Sequence, residues 1–242
     1  MLCRDYYTLR YFDQDPVFPD IYHARYGDLG KLRRYSAEGI SFFGLEEADG
    51  TLFTFNDLTG SRAGGFVNTT SPGGITLSVT QVEYDDILEM QRSISGTVNE
   101  TESWLYEYTS LGSHGRFVSS CTLRRSTTAE WQNVVRCIYS YYTGEVGTDP
   151  HGSVGDLRTA TRQVWQETAG ESSSSSSSSG LGGWADVGTD YYRYYVASEG
   201  SADAHNLRYV CGPEAFARLA ASVADPFAAS DAVVAQYADY YY

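Results

Sequence analysis

The chain has 242 residues, of which 17 are basic and 31 are acidic, and its formal net charge is −14. This length suits one large domain or two small ones. The acidic balance argues against a nucleic-acid-binding surface built from basic side chains. No apolar run reaches the roughly 18 residues that a membrane-spanning helix needs. The first residues lack the apolar core of a secretion signal, so we expect any such signal to be absent or already removed.

Aromatic residues and glycine dominate the composition, with 21 tyrosines, 10 phenylalanines, 4 tryptophans and 24 glycines. This mixture favours short strands joined by tight turns. A tyrosine ring packs on a sheet while its hydroxyl group stays in water, so tyrosine suits a sheet that is half exposed. The composition therefore predicts a protein that is mainly β.

Alternation of side chains predicts consecutive strands in the middle of the chain. Residues 104–108, 116–125 and 134–142 each place alternate side chains on opposite faces of a strand. Turn-forming clusters at 112–115 and 126–129 separate these strands. Connections this short leave no room for a crossover helix, so we expect antiparallel hairpins in chain order.

The N-terminal part repeats this organisation. Asp49-Gly50 predicts a hairpin turn between strands at 40–43 and 52–55. A second turn, at residues 72–74, precedes a strand at 75–79. The turn signals recur at the spacing expected for an all-β array.

Eight consecutive serines, residues 172–179, interrupt the strand pattern and are followed by glycines. Their composition predicts a flexible linker or a loop, and a long hairpin tip is an alternative. A glycosylated serine tract and a stretch of unknown residues written as serine are further interpretations. We expect a hairpin array over 1–171, a Ser/Gly-rich segment over 172–183 and a continuing hairpin region over 184–242.

Two helices are predicted near the C-terminus, at about 213–224 and 230–238. Pro213 opens the first, whose apolar side chains recur at helical spacing, and Asp225-Pro226 stops it. Ser230 is placed to cap the second. The predicted apolar face of the first helix consists of Phe216, Leu219, Ala220 and Val223, and that of the second consists of Val233, Val234 and Tyr237. Residues 239–242 then resemble the first half of another strand.

Three segments resemble YD repeats, whose pattern is roughly Tyr-Asp-x-x-Gly-Arg-Leu: residues 26–32, 55–60 and 84–85. Over residues 104–242, further motifs follow the order seen in large bacterial YD-repeat proteins of the Rhs type. These motifs are residues 105–108, 115–117, 123–125, Trp131, 135–136, 139–142, 155–160, 191–195 and 206–210, then Pro213, 217–219, 225–226, 230–232 and 237–239.

The resemblance implies consecutive antiparallel β-hairpins that wind as a spiral or solenoid sheet, with a small two-helix insertion near the C-terminus. A hairpin that cannot bury its own face stacks on its neighbours, which agrees with this architecture. The resemblance also implies an extracellular or cell-surface location. We therefore expect a non-enzymatic structural or scaffold protein. One alternative is a carbohydrate-binding or adhesive module that uses exposed Tyr and Trp, and another is a fragment of a toxin-encapsulating shell.

No pattern predicts a catalytic, cofactor-binding or metal-binding residue. His23, His114, His151 and His205 lie in predicted turns without a neighbouring nucleophile, so we expect surface histidines. Residues 149–152 read Asp-Pro-His-Gly, which matches the four-letter signature of self-cleaving Rhs-type segments, and the chain around them favours a simple turn.

Two further surface features are compatible with modification or metal binding. The acidic groups at 46–49 and 83–86 lack the ladder of a calcium loop, so solvated turns are expected there. Asn68 and Asn99 each begin an N-glycosylation acceptor pattern.

The four cysteines, Cys3, Cys121, Cys137 and Cys211, show no zinc-binding spacing. Cys121 and Cys137 lie on adjacent predicted strands and either face each other or are buried as free thiols. Their disulfide state stays open at this point.

Self-association is the last expectation. Tyrosine-rich segments at 5–9 and 240–242 predict an unpaired strand at each end of the sheet, ready to accept another strand. Pairing of the two different ends is head-to-tail and produces a ring or a filament. The alternative is a longer polypeptide whose next hairpin covers the edge.

Overall fold

A computed structural model of the chain describes residues 2–3, 9–25, 30–37, 39–59, 62–83, 86–94, 101–126, 130–144, 150–167, 182–196 and 204–242. In the first half the strands are Leu2–Cys3 (β1), Leu9–Arg10 (β2), Phe12–Gln14 (β3), Ile21–Ala24 (β4), Lys31–Ala37 (β5), Ile40–Glu46 (β6), Leu52–Asn56 (β7), Phe66–Thr70 (β8), Ile75–Glu83 (β9) and Asp86–Ile94 (β10). In the second half they are Thr101–Ser110 (β11), Arg116–Ser126 (β12), Gln132–Tyr141 (β13), Leu157–Glu167 (β14), Gly182–Tyr194 (β15), Leu207–Cys211 (β16) and Tyr240–Tyr241 (β17).

Fifteen of the strands described form one open sheet whose order, from β17 to β3, follows the chain without a crossover. Every strand register resolved in this sheet is antiparallel. The remaining two strands, β1 and β2, pair with each other. The predicted fold class, consecutive antiparallel hairpins, is therefore confirmed.

The chain divides into two compact units. The first comprises residues 1–104 and 125–131, and the second comprises residues 105–124 and 132–242. The serine run lies outside the described residues. Only the last two residues of the predicted segment 172–183 are described, and they begin β15.

The hairpin turns of the first unit have the predicted chemistry. Gly50 has a φ of +84°, which glycine adopts without strain. The carboxylate of Asp49 accepts a hydrogen bond from the Thr51 amide at 2.9 Å. Beyond this turn, β6 and β7 pair in the register Leu45↔Phe53. The next predicted turn also forms, between β8 and β9, where the Gly74 amide donates to the Ser71 carbonyl at 2.9 Å.

Two short α-helices follow β16: Pro213–Ser222 (α1) and Asp231–Val234 (α2). Within the described residues no helix is long and apolar enough to cross a membrane. The first helix ends two residues before its predicted end, because Val223 is extended and a residue before proline disfavours helix at 225. The second is shorter than predicted, since a turn after Val234 leads the Asp239 amide back to β16 at Val210.

The helices bury a small apolar core against β15 and β16. Its fully buried members are Tyr191, Cys211, Ala215, Leu219 and Val234. The predicted apolar faces are confirmed for Leu219 and for Val234. Ala220 is an exception: it is exposed, and Ala215 is buried instead. Phe216 and Val223 of the predicted face are partly buried against the core.

The Arg193 guanidinium, which is fully buried, anchors the second helix. Its Nη1 donates to the Asp231 carboxylate at 2.7 Å, and its Nε donates to the Tyr191 hydroxyl at 2.7 Å. Ser230 occupies the N-cap position, but its hydroxyl makes no capping hydrogen bond, contrary to the prediction. The side-chain contacts that fix this helix are therefore the ion pairs of the Asp231 carboxylate, with Arg193 and, at 2.6 Å, with Arg208.

Candidate functional site

Strands β13, β14 and β15 of the second unit bring an aromatic and polar group of side chains together on one face. The register places Arg136 opposite Gln163 and Gln163 opposite Asp186. One step along, Trp165 lies opposite Trp184. We call these five residues the Trp165–Trp184 surface. Four of the five, all but Asp186, are half-buried, and Asp186 is exposed.

The two indole rings form an edge-to-face pair. Their centroids are 5.2 Å apart and the interplanar angle is 75°, a favoured geometry for aromatic pairs. The Trp165 ring lies where a side chain at Gly182 would be, since a Cβ added there would approach it to 2.4 Å. Glycine at the start of β15 therefore makes room for the ring.

A chain of hydrogen bonds holds the polar side chains of this surface in place. The guanidinium carbon of Arg136 lies 4.5 Å from the centroid of the Trp184 ring, in a cation–π contact. The Arg136 Nε donates to Gln163 Oε1 at 2.5 Å, and Gln163 Nε2 donates to Asp186 Oδ1 at 2.5 Å. This chain of hydrogen bonds orients the guanidinium group, and its terminal Nη atoms have no protein partner within the described residues.

This arrangement suits a ligand with an apolar face and several hydroxyl groups. The indole rings offer apolar contact area, while Arg136 offers donors and Asp186 an acceptor at either side. The sequence indicated exposed Tyr and Trp on a sheet face in general terms. It did not identify these five residues, because they are brought together by pairing across three strands.

The aspartates of the YD-like and related motifs have structural roles. Asp57 pairs with Arg34 at 2.6 Å, and this guanidinium holds the pKa of the carboxyl group below its usual range. Asp156 accepts a hydrogen bond from the Ser153 amide at 2.7 Å and closes the turn before β14. The motif segments at 26–29 and 84–85 lie outside the described residues.

The four predicted surface histidines differ in their surroundings. His23 contacts Asp15 at 2.7 Å and His205 contacts Asp156 at 2.8 Å, and both rings are mostly exposed. His114 ends a short 3₁₀ turn. His151 departs from the prediction, because its side chain is only 18% exposed and lies 3.4 Å from Asp231.

A buried carboxylate in the first unit, Glu89, is held by neighbouring strands. It accepts hydrogen bonds from Ser103 Oγ at 2.5 Å, from Thr80 Oγ1 at 2.9 Å and from Gln91 Nε2 at 3.1 Å. These contacts satisfy its charge by hydrogen bonding. In the part of the chain that the structure describes, no three His, Cys, Asp or Glu side chains are grouped to hold a metal ion.

Comparison with known protein families and with curated proteins gives no match for this chain. The resemblance to YD-repeat proteins therefore stays a prediction from its motifs.

Proposed function

We propose that this chain is a structural protein of the cell surface or extracellular space, built from YD-like hairpins and able to associate with further copies. The observation that carries the proposal is the single sheet of 15 described strands, in which strands that are consecutive in the sequence are neighbours in the sheet. Along β13, residues of both faces are half-buried from Asn133 to Tyr141. A packed sandwich buries alternate residues. At β13, therefore, neither face of the sheet has the alternating burial of a sandwich, which supports a scaffold role.

The edges of the sheet differ from the expectation in one respect. Of the predicted N-terminal edge, residues 5–9, only Leu9 lies within the described residues, and it pairs with Cys3 in the separate small sheet. The edge is β3, where the Asp13 carboxylate pairs with Arg25. Charges on an edge strand disfavour pairing with another chain.

Among the described strands, the opposite edge is β17, which consists of two tyrosines and carries no charged side chain. Tyr240 is 63% exposed and Tyr241 is 77% exposed. Because the two edges differ in this way, we propose that copies associate through β17 against β17. Such a contact is self-complementary and closes as a dimer, whereas the head-to-tail filament would require β3.

The test is light scattering coupled to size exclusion at about 50 µM. We expect a species larger than the 26.7 kDa chain, and we expect Tyr240→Lys/Tyr241→Lys to shift it to the monomer, since lysine blocks edge pairing. Val17→Lys/Leu58→Lys is the control, because both of these positions are 71% exposed. A monomeric wild-type protein, or equal dissociation of the control, contradicts the proposal.

A second function, carbohydrate binding, is favoured by the Trp165–Trp184 surface. The specific observation is the ordered Arg136 guanidinium beside two tryptophans. A glycan array identifies the sugar. We then expect Trp184→Ala and Arg136→Gln to weaken binding about tenfold or more, while Arg125→Gln, at an exposed arginine of the first unit, leaves it unchanged. Equal loss in all three variants, or no glycan bound, contradicts this function.

A further inference from the structure

The neighbouring strands β12 and β13 bring two cysteines together. The rings of Phe117 and Tyr141 are in contact, with centroids 5.1 Å apart, and the Tyr141 hydroxyl donates to the Val118 carbonyl at 2.6 Å. Cys121 lies four residues after Phe117 on β12, and Cys137 lies four residues before Tyr141 on β13. Since the side-chain period of a strand is two, the ring contact implies that both cysteines share the face of the aromatic pair and lie opposite each other.

The expected separation lies at the upper limit for a disulfide. Facing residues of an antiparallel pair have Cβ atoms about 4.5–5.5 Å apart, and a disulfide requires about 3.5–4.5 Å. The bond therefore needs the two strands at their closest spacing. Both thiols are free and only partly buried, so a small oxidant reaches them. Burial, and after it the neighbouring Cys137, raises the pKa of Cys121.

We propose that Cys121 and Cys137 are an oxidation site at which a cross-strand disulfide forms with a low-molecular-weight disulfide such as glutathione disulfide. One cysteine thiolate attacks a sulfur of glutathione disulfide, forming a mixed disulfide and releasing one glutathione thiolate. The second cysteine thiolate attacks the protein sulfur of the mixed disulfide and releases the other. The two cysteines lose two electrons and two protons in total, and glutathione disulfide is reduced to two glutathione molecules.

The described surroundings of Cys211 exclude it from this reaction. Its side chain is fully buried beneath the helices, and burial raises the pKa of its thiol to about 11. Unlike the two partly exposed thiols, it is closed to glutathione disulfide. The bond between Cys121 and Cys137 would enclose residues 122–136 and tie the hairpin of β12 and β13 together. It does not depend on association of copies, so its test and the light-scattering test fail independently.

Peptide mapping tests the proposal directly. Trypsin cleaves after Arg116, Arg124, Arg136 and Arg158, and so releases peptides 117–124 and 137–158, each with one cysteine. After equilibration of the full chain in glutathione buffers of increasing oxidising strength, we expect one linked product of these peptides, lighter by two hydrogen atoms than their sum. Its rate of formation should rise with pH, because the thiolate is the attacking species.

Thermal unfolding supplies the second measurement. Oxidation should raise the melting temperature of the wild-type chain by at least about 4 °C, with no rise in Cys121→Ser or Cys137→Ser. The proposal is overturned if the two peptides carry separate glutathione adducts, if they link to Cys3 or Cys211, or if both thiols stay reduced in every buffer.

Discussion

Replacing Asp231 by Asn should lower the free energy of unfolding of the second unit by about 3 kcal/mol. The substitution removes the charge that compensates the fully buried Arg193, whose Nη1 lies 2.7 Å from the carboxylate. Loss of one partner of a buried pair costs about 3–5 kcal/mol. We expect the lower end, because the carbonyls of Pro226 and Phe227 still accept from Arg193 at 3.3 Å.

Asp225→Asn is the matched control for this experiment. Its carboxylate accepts one hydrogen bond, from the Phe227 amide at 2.8 Å, in an exposed turn of the same segment. Urea unfolding should show a change below about 1 kcal/mol for this variant. The double variant Arg193→Met/Asp231→Asn should recover part of the loss, since the fully buried guanidinium is then absent; recovery is partial because Arg208, which pairs with Asp231 at 2.6 Å, still loses its partner. Equal effects of Asp231→Asn and Asp225→Asn would show that the ion pair does not hold the helix.

Replacing Gly152 by Ala should destabilise the second unit by about 1–3 kcal/mol. A Cβ at this position would lie 2.3 Å from the ring of Tyr142, closer than atoms in folded proteins approach. The ring cannot easily move, because Tyr142 is 1% exposed and its hydroxyl donates to the Tyr192 carbonyl at 2.7 Å. The glycine of the segment at 149–152 is therefore required by packing, which agrees with the interpretation of this segment as a turn.

Gly183→Ala is the control for this second prediction. Gly183 lies at the start of β15, and a Cβ added there would meet no atom within 4 Å among the described residues. Thermal unfolding should show little change there, or a slight gain from the reduced freedom of the unfolded chain. If both alanine variants unfold alike, the contact between Gly152 and Tyr142 is not the constraint described above.

Local patterns were sufficient to predict the hairpins. The alternation over 116–125 and the Asp49-Gly50 turn depend on side-chain period and backbone conformation, which neighbouring residues determine. Both features are confirmed, in β12 and at Gly50 with its φ of +84°. Chain order followed from the same patterns, because connections of a few residues can only join adjacent antiparallel strands.

Helix ends and strand edges were predicted less well. The apolar spacing around Leu219 located the first helix but assigned Ala220 to its buried face, and the sheet beneath selected Ala215 instead. The edge strand β3 begins at Phe12, after Leu9 has paired with Cys3. Both outcomes depend on partners that are not neighbours in sequence.

The sequence by itself therefore determined the strand and turn pattern, since each hairpin is specified by residues within a few positions of one another. Only the tertiary structure decided which side chains meet across several strands. Strands β14 and β15 pair in the register Gln163↔Asp186, next to a register shift between Arg162 and Gln163, and this pairing places Trp184 beside Arg136. In the same way, the docking of α2 buries Arg193 against Asp231. A shift of one residue in strand pairing would move the strand side chains, such as Trp184 and Arg193, to the opposite face of the sheet. No local pattern in the sequence specifies the pairing register.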